Sequence, residues 1–267
     1  MSRKTPTTQA STDLGWLAAL AVVASTVFPG CASYYQKTTL GDVVVHTITH
    51  DHANMHVVVE KGSAFAVDSG LKGTATSMEI DLRAIGVPPE SLKAIVLTHG
   101  HHDHAGGARY FQQKYRTRIV AGRADLGMLR NGKNDRSCPV GAIARFRYET
   151  DFVQTFDPVE PDVLVDGPMS LSEITGTNAR IVPVGSHTPG SLAVVVGRAA
   201  LVGDLFRGGI VGDGAEVHFY MCDLEGNRRT IQSLLVREAA SVDTFFPGHF
   251  GPIPRAEVVD TFVSSPP

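Results

Sequence analysis

From residue 42 onward, short apolar runs alternate with turn residues at intervals that suit strands more often than helices. Asp42–Ile48, Met55–Glu60 and Ala64–Val67 are valine-rich or apolar and read as three strands, the last running into Asp68-Ser69-Gly70. The period then changes. Met78, Leu82 and Ile85 recur at three- and four-residue spacing, which predicts a helix over Thr76–Ile85 with one buried face, stopped by Gly86, Pro88 and Pro89. Leu92–Leu97 and Arg118–Ala121 have strand character, and Ala108–Tyr115 has helical character. In the second half, strands are predicted at Val163–Val165, Ile181–Val184, Leu192–Val196, Ala200–Val202 and Thr244–Phe246, with a helix over Arg228–Ala240. Strands cluster ahead of helices in each half. That order predicts an α/β protein, layered in the α+β sense, with two sheets and helices outside them rather than strictly alternating βαβ units. Between Gly122 and Thr155 no clean period survives. Turn signals at Asn131-Gly132 and Cys138-Pro139 predict a helix followed by a loop excursion, a candidate lid.

The first thirty-odd residues have another character. Arg3 and Lys4 precede an uncharged, largely apolar run from Leu14 to Phe28, short for a spanning helix and suited to the core of an export signal. The run ends at Val27-Phe28-Pro29-Gly30-Cys31, which resembles a bacterial lipobox, although Phe28 and Pro29 are atypical for one. The expected organisation is a signal peptide over 1–31, a polar linker over 32–40 and a catalytic domain over 41–267. The protein is then exported to the periplasm or cell envelope and held at the membrane if Cys31 carries several acyl chains. A plain secretory signal or an uncleaved anchor helix are the alternatives. With Cys31 set aside, Cys138 and Cys222 remain, and two buried free thiols are expected in preference to a disulfide. Composition adds one exclusion: 43% apolar and 19% charged residues with a net charge of −3 describe a globular chain without the basic face a nucleic-acid partner needs.

The chemistry concentrates in Thr98-His99-Gly100-His101-His102-Asp103-His104, where four of the eleven histidines stand beside an aspartate. His99 and His101, two apart at a strand end, can point the same way, while Asp103 and His104 fall where the chain curls toward a helix. Imidazole and carboxylate donors at this spacing suit zinc, and also iron or manganese. Three later segments end strand-like runs with a further donor each: His187 in Ser186-His187-Thr188-Pro189-Gly190-Ser191, Asp204 after Val202-Gly203, and His249 after Pro247-Gly248. A histidine at one strand end is ordinarily structural; three such donors together with the dense cluster are not.

In this combination, His99-x-His101-x-Asp103-His104 followed by His187, Asp204 and His249, the sequence resembles the metallo-β-lactamase superfamily over roughly residues 40–260. The resemblance implies a four-layer αββα sandwich with the site at one edge between two sheets. It implies two divalent metal ions, zinc foremost. Metal one is assigned to His99, His101 and His187, metal two to Asp103, His104 and His249, with Asp204 bridging both. Asp68 is assigned to orienting a ligand rather than binding metal, and His102 to a bystander's place. A hydroxide bridging the two cations is expected to attack a carbonyl or phosphoryl centre of a small-molecule substrate, with Asp103 accepting a hydrogen bond from it.

Departures from individual subfamilies narrow the expected reaction to an ester, lactone, thioester or related bond. Lactamases of the superfamily have cysteine or serine where this chain has Asp204, and Cys222 does not stand in for that cysteine. Glyoxalase II enzymes add a C-terminal helical domain, and only 18 residues follow His249 here. Lactonases share the seven ligands but have a tyrosine shortly after the bridging aspartate, where this chain has Leu205-Phe206-Arg207. His218 and Tyr220 are candidate pocket residues able to donate to a developing oxyanion, though packing is the favoured role. His50, His52 and His56 are expected to be scattered surface histidines in preference to reaching the pocket rim, and Arg207 to pair with an acidic substrate or stand on an exposed loop. Three other readings remain: a mononuclear iron persulfide dioxygenase, a β-lactamase, and a non-catalytic metal-binding envelope protein.

Overall fold

A computed structural model describes residues 33–151, 153–210 and 214–264. The segment expected to be an export signal and Cys31 lie outside the described residues. The first half builds a seven-stranded sheet in chain order: β1 (Ser33–Leu40), β2 (Val43–His50), β3 (Ala53–Glu60), β4 (Ser63–Val67), β5 (Leu92–Val96), β6 (Arg118–Gly122) and β7 (Val163–Val165). Pairing is antiparallel from β1 to β4 and parallel from β4 to β7. The parallel half is therefore made of crossovers and the antiparallel half of hairpins, so βαβ units occur but do not run through the whole sheet. α1 (Ala75–Ala84) links β4 to β5, and α2 (His102–Ala105) with α3 (Ala108–Tyr115) links β5 to β6. α4 (Leu126–Asn131) and α5 (Gly141–Asp151) lie between β6 and β7, so the unreadable middle carries two helices, not one helix and a loop.

The second sheet has six strands in the order β15-β14-β11-β10-β9-β8. These are β8 (Met169–Ser170), β9 (Arg180–Pro183), β10 (Leu192–Val196), β11 (Ala199–Gly203), β14 (Thr244–Pro247) and β15 (Ile253–Pro254); β12 (Arg207–Gly208) and β13 (Ala215–Glu216) form a separate ribbon. α6 (Ser172–Thr175) follows β8, α7 (Leu224–Ser233) precedes β14 and α8 (Arg255–Val259) follows β15. α7 starts earlier than the apolar period suggests, because the Asp223 carboxylate caps it by accepting from the Gly226 N–H at 2.7 Å.

Strand alternation sorts the apolar side chains into three layers, as four stacked layers require. Val57, Ile95 and Leu97 face α1 and α3 through Met78, Leu82 and Phe111. Val58, Val96, Val194, Leu201 and Phe246 fill the space between the sheets. Val195, Val202 and Phe245 face outward onto Ile231, Leu235, Val258 and Phe262. Because the central strands β10 and β11 are buried on both faces, they read as unbroken apolar runs. This is the αββα sandwich.

Residues 33–40, expected as linker, form β1 and pair along their whole length with β2. β1 is a largely exposed edge strand whose stability rests on backbone hydrogen bonds, so its side chains carry no apolar signal. A second correction concerns the cysteines. Cys138 and Cys222 form a disulfide with their Cα atoms 4.8 Å apart. The fold makes that proximity: the Met221 N–H donates to the Cys138 carbonyl at 2.8 Å and the Val140 N–H to the Phe219 carbonyl at 2.6 Å, pairing two segments far apart in sequence.

Candidate metal centre

Every donor singled out in the sequence, save Tyr220, converges on one edge, at the carboxyl ends of strands from both sheets. β5 leads into Thr98–His104, β11 into Asp204 and β14 into His249, while His187 sits in the turn between β9 and β10. The two sheets are joined there by the Leu192 N–H donating to the Thr98 carbonyl at 2.7 Å. The approach is close enough to demand glycine. A Cβ on Gly248 would stand 2.3 Å from the His104 ring and 2.5 Å from Asp204 Oδ1, and one on Gly203, which has φ +52°, would stand 2.4 Å from Thr98 Oγ1.

Two half-sites result. In the first, His99 Nε2 lies 3.1 Å and His187 Nε2 3.0 Å from His101 Nδ1. A tetrahedral ion with bonds near 2.05 Å sets its nitrogen ligands about 3.3 Å apart, close to this spacing. In the second, Asp103 Oδ2 lies 3.5 Å from His249 Nε2 and 3.9 Å from His104 Nε2. Asp204 stands between them: Oδ1 is 3.3 Å from His104 Nε2, and Oδ2 is 3.5 Å from His187 Nε2 and 3.4 Å from His249 Nε2. His104 Nε2 and Asp204 Oδ1 are buried without a hydrogen-bond partner. Unsatisfied buried polar atoms are costly, and convergent ones of donor type fit a cation that would satisfy them. The residues present fit two divalent ions.

The other ring nitrogens settle which atom faces inward. His187 Nδ1 donates to the Tyr220 carbonyl (2.9 Å), His249 Nδ1 to the His52 carbonyl (2.6 Å) and His104 Nδ1 to Asp68 Oδ2 (2.8 Å). His99 Nδ1 lies 3.1 Å from Thr98 Oγ1, whose own proton goes to Asp68, so that Nδ1 is the donor there too. Each of these four rings turns an Nε2 lone pair toward the centre. Asp68 is fully buried with φ +63°, a conformation unusual outside glycine, and also accepts from the Thr98 N–H at 2.7 Å.

The electrostatics differ between the half-sites. Burial, then the His104 charge, holds His99 well below its ordinary value, burial and then His218 do the same for His187, and burial lowers His101 to about 4. Burial alone would also lower His104, but Asp204, Asp103 and Asp68 outweigh it and hold the imidazole well above its usual range. His249 is raised likewise against burial, by Asp204 and then Asp103. Burial would raise the Asp204 carboxyl, yet His104, His218 and His249 keep it well below the carboxylate range.

Several residues that the sequence left unassigned support this centre. Asp125, fully buried, accepts from the Gly100 N–H (2.9 Å), Thr188 Oγ1 (2.7 Å) and the Gly190 N–H (2.8 Å), tying the His101 loop to the His187 loop. Asn134 brackets His102, accepting from its backbone N–H and meeting its Nδ1, each at 2.8 Å. Neither carried a sequence signal, since a lone Asp or Asn in an unpatterned stretch looks like a turn residue. Of the three early histidines, only His52 is exposed. His56 is buried between Thr47 Oγ1 and the Pro247 carbonyl, His50 pairs with Asp81 at 2.6 Å, and His52 stacks on His249 with its Nε2 3.6 Å from Asp103. Arg207 is neither exposed nor turned to substrate: it is buried, paired with Glu216 and stacked on the Phe219 ring at 4.0 Å. His218 and Tyr220 do line the pocket beside the centre. That pocket encloses about 200 Å³, with Ile143, Ala144, Ile210, Phe219 and Phe250 as apolar walls.

A family model described as the metallo-beta-lactamase superfamily matches residues 48–249. The chain is 25% identical over 171 residues to the uncharacterized protein YobT of Bacillus subtilis (strain 168), spanning 60% of this chain and 66% of that protein's length. Among solved structures it is similar to BJP-1, a subclass B3 metallo-beta-lactamase of Bradyrhizobium japonicum, with a TM-score of 0.61, 17% identity and coverage of 91% of this chain and 94% of that one. It is also similar to the native FEZ-1 metallo-beta-lactamase from Legionella gormanii, with a TM-score of 0.59, 14% identity and coverage of 83% and 82%. At these identities the structural likeness speaks for the fold alone.

Proposed function

From the premise that the chain belongs to the metallo-beta-lactamase superfamily, we propose that it is a dinuclear metallo-hydrolase cleaving an ester, lactone, thioester or related bond of a small molecule. The observation that carries this reading is the position of Asp204, whose two carboxylate oxygens reach toward both half-sites at 3.3–3.5 Å. A single carboxylate so placed can be shared by two cations. An all nitrogen-and-oxygen donor set suits zinc foremost, with iron or manganese as alternatives. Two such cations, when bound, supply a water of lowered pKa and a Lewis acid for the oxygen under attack. The chain's own part is to hold the donors and shape the pocket. Asp68 and Thr98 fix the tautomers of His104 and His99, Asp103 offers a carboxylate to the pocket, and Ile143, Ala144 and Phe219 give it an apolar wall.

We also propose export, with lipid attachment at Cys31. The apolar run ahead of Cys31 supports it, and so does the Cys138–Cys222 disulfide, since such bonds persist in oxidising compartments. Metal analysis of the purified protein, coupled to a panel of esters, lactones, thioesters and lactams, tests the central reading. Two zinc per chain with ester, lactone or thioester turnover is expected. One iron per chain with oxygen consumption would sink it.

A further inference from the structure

His218 does not follow the pattern of the other imidazoles. It is 3% exposed, packed against His187 with ring centroids 4.7 Å apart and stacked on His249 at 5.4 Å. Its Nε2 lies 3.0 Å from Asp204 Oδ2. Position alone would make it an eighth ligand, grouped with His187 and Asp204. Its other nitrogen argues otherwise. In His187, His249, His104 and His99, Nδ1 is the donor and Nε2 keeps the lone pair. In His218, Nδ1 receives the Tyr220 backbone N–H at 3.2 Å. The Tyr220 carbonyl is 3.4 Å from the same nitrogen, but it already accepts the closer His187 Nδ1–H at 2.9 Å. An Nδ1 that accepts places the ring proton on Nε2. That N–H is buried, closes no hydrogen bond within the protein despite its nearness to Asp204, and lines the pocket.

We propose that His218 is a neutral hydrogen-bond donor to substrate and not a metal ligand: its Nε2–H meets the oxygen of the group under attack as negative charge builds there. This rests on the hydrolase reading above. No proton leaves His218; the N–H is oriented in advance, which is how a fixed donor stabilises a developing oxyanion. The segment that carries it is tied to a distant part of the chain: the pairing of Pro139 with Tyr220, the Met221–Cys138 backbone bond and the Cys138–Cys222 disulfide all fall within four residues of His218.

The test uses the zinc-loaded full chain with p-nitrophenyl acetate as substrate and His218→Ala and His218→Gln variants, each checked for unchanged circular dichroism. Both variants are expected to keep the zinc content of the parent. His218→Ala is expected to lose on the order of 10²-fold in kcat with little change in KM. His218→Gln, whose amide N–H reaches a similar point, should recover much of that loss. Nitrogen-15 NMR of the zinc-loaded parent should show the Nε2–H tautomer at His218, with its proton shifting when acetate is added. Loss of a zinc in either variant, an Nδ1–H tautomer, or an unchanged kcat in His218→Ala overturns the proposal. If the parent hydrolyses no ester, lactone or thioester, the hydrolase reading falls on its own, and the tautomer, zinc content and acetate response still decide the role of His218.

Discussion

The two half-sites share Asp204 between them and differ in the charge around their rings. His99 and His187 are backed by neutral groups, a threonine hydroxyl and a backbone carbonyl, and burial holds both rings and His101 below their ordinary values. Asp103, His104 and His249 form a charged set, with Asp68 behind His104. The first half-site is ready to donate lone pairs, whereas the carboxylates of the second favour protons on His104 and His249, which a cation would have to displace. The difference also has a structural side. The first leans on the disulfide-clasped strand through Tyr220, and the second leans on the interior of the sandwich through Asp68, His56 and the Gly248 turn.

Removing one ligand at a time gives the largest effect. His101→Ala should empty the first half-site and lower kcat/KM by on the order of 10³-fold or more, about 4 kcal/mol in barrier. His249→Ala should instead spare the first half-site, so metal counts by mass spectrometry separate the two; equal loss in both variants would dissolve the distinction. Cutting the clasp comes next. The double variant Cys138→Ser/Cys222→Ser opens an 84-residue loop and should cost roughly 2–4 kcal/mol of unfolding free energy in urea titrations. It should weaken metal binding at the first half-site more than at the second.

The footing of the second half-site is reached through pH. Burial, against the opposing pull of the Pro247 carbonyl and Asp68, lowers His56 to about 4 from 6.5. Between those values the unfolded chain binds a proton that the folded chain does not, so stability is full above pH 6.5 and falls as the pH drops toward 4. The loss attributable to this one group is roughly 3 kcal/mol. Comparing the stability of His56→Gln with the parent from pH 7 to 4 isolates it, and parallel curves would count against this role. The smallest effect expected is that of Asp68→Asn, which keeps the side chain's shape but removes the charge behind His104. Metal affinity should fall 10- to 100-fold, read by competition with a zinc chelator, and fall most at the second half-site, since Asp68 reaches His104 directly and His99 only through Thr98.

Much of this was legible in the chain. Central strands buried on both faces declared themselves as unbroken apolar runs, and Ala108–Tyr115 was read with the bounds it has in the fold. The seven donors stood out because His99–His104 is dense and each later donor ends an apolar strand. What escaped notice had no local pattern. β1 is exposed on its edge, α5 lies in an excursion without period, and Asp125, Asn134 and His56 are single polar residues whose partners lie tens of positions away.

By itself the sequence determined the class of structure, the layering of its core and which residues are candidate donors, because these follow from periodicity and from the chemistry of residue types. The pairing of Cys138 with Cys222, the burial of Arg207 and the tautomer of each imidazole were decided only by the tertiary structure. Whether a ring nitrogen keeps its lone pair depends on what stands within 3 Å of the other nitrogen, and that neighbour arrives from a distant part of the chain. His218 shows the consequence: the same residue type, as deeply buried as the proposed ligands, faces the centre with its proton instead of its lone pair because one backbone N–H occupies its other side.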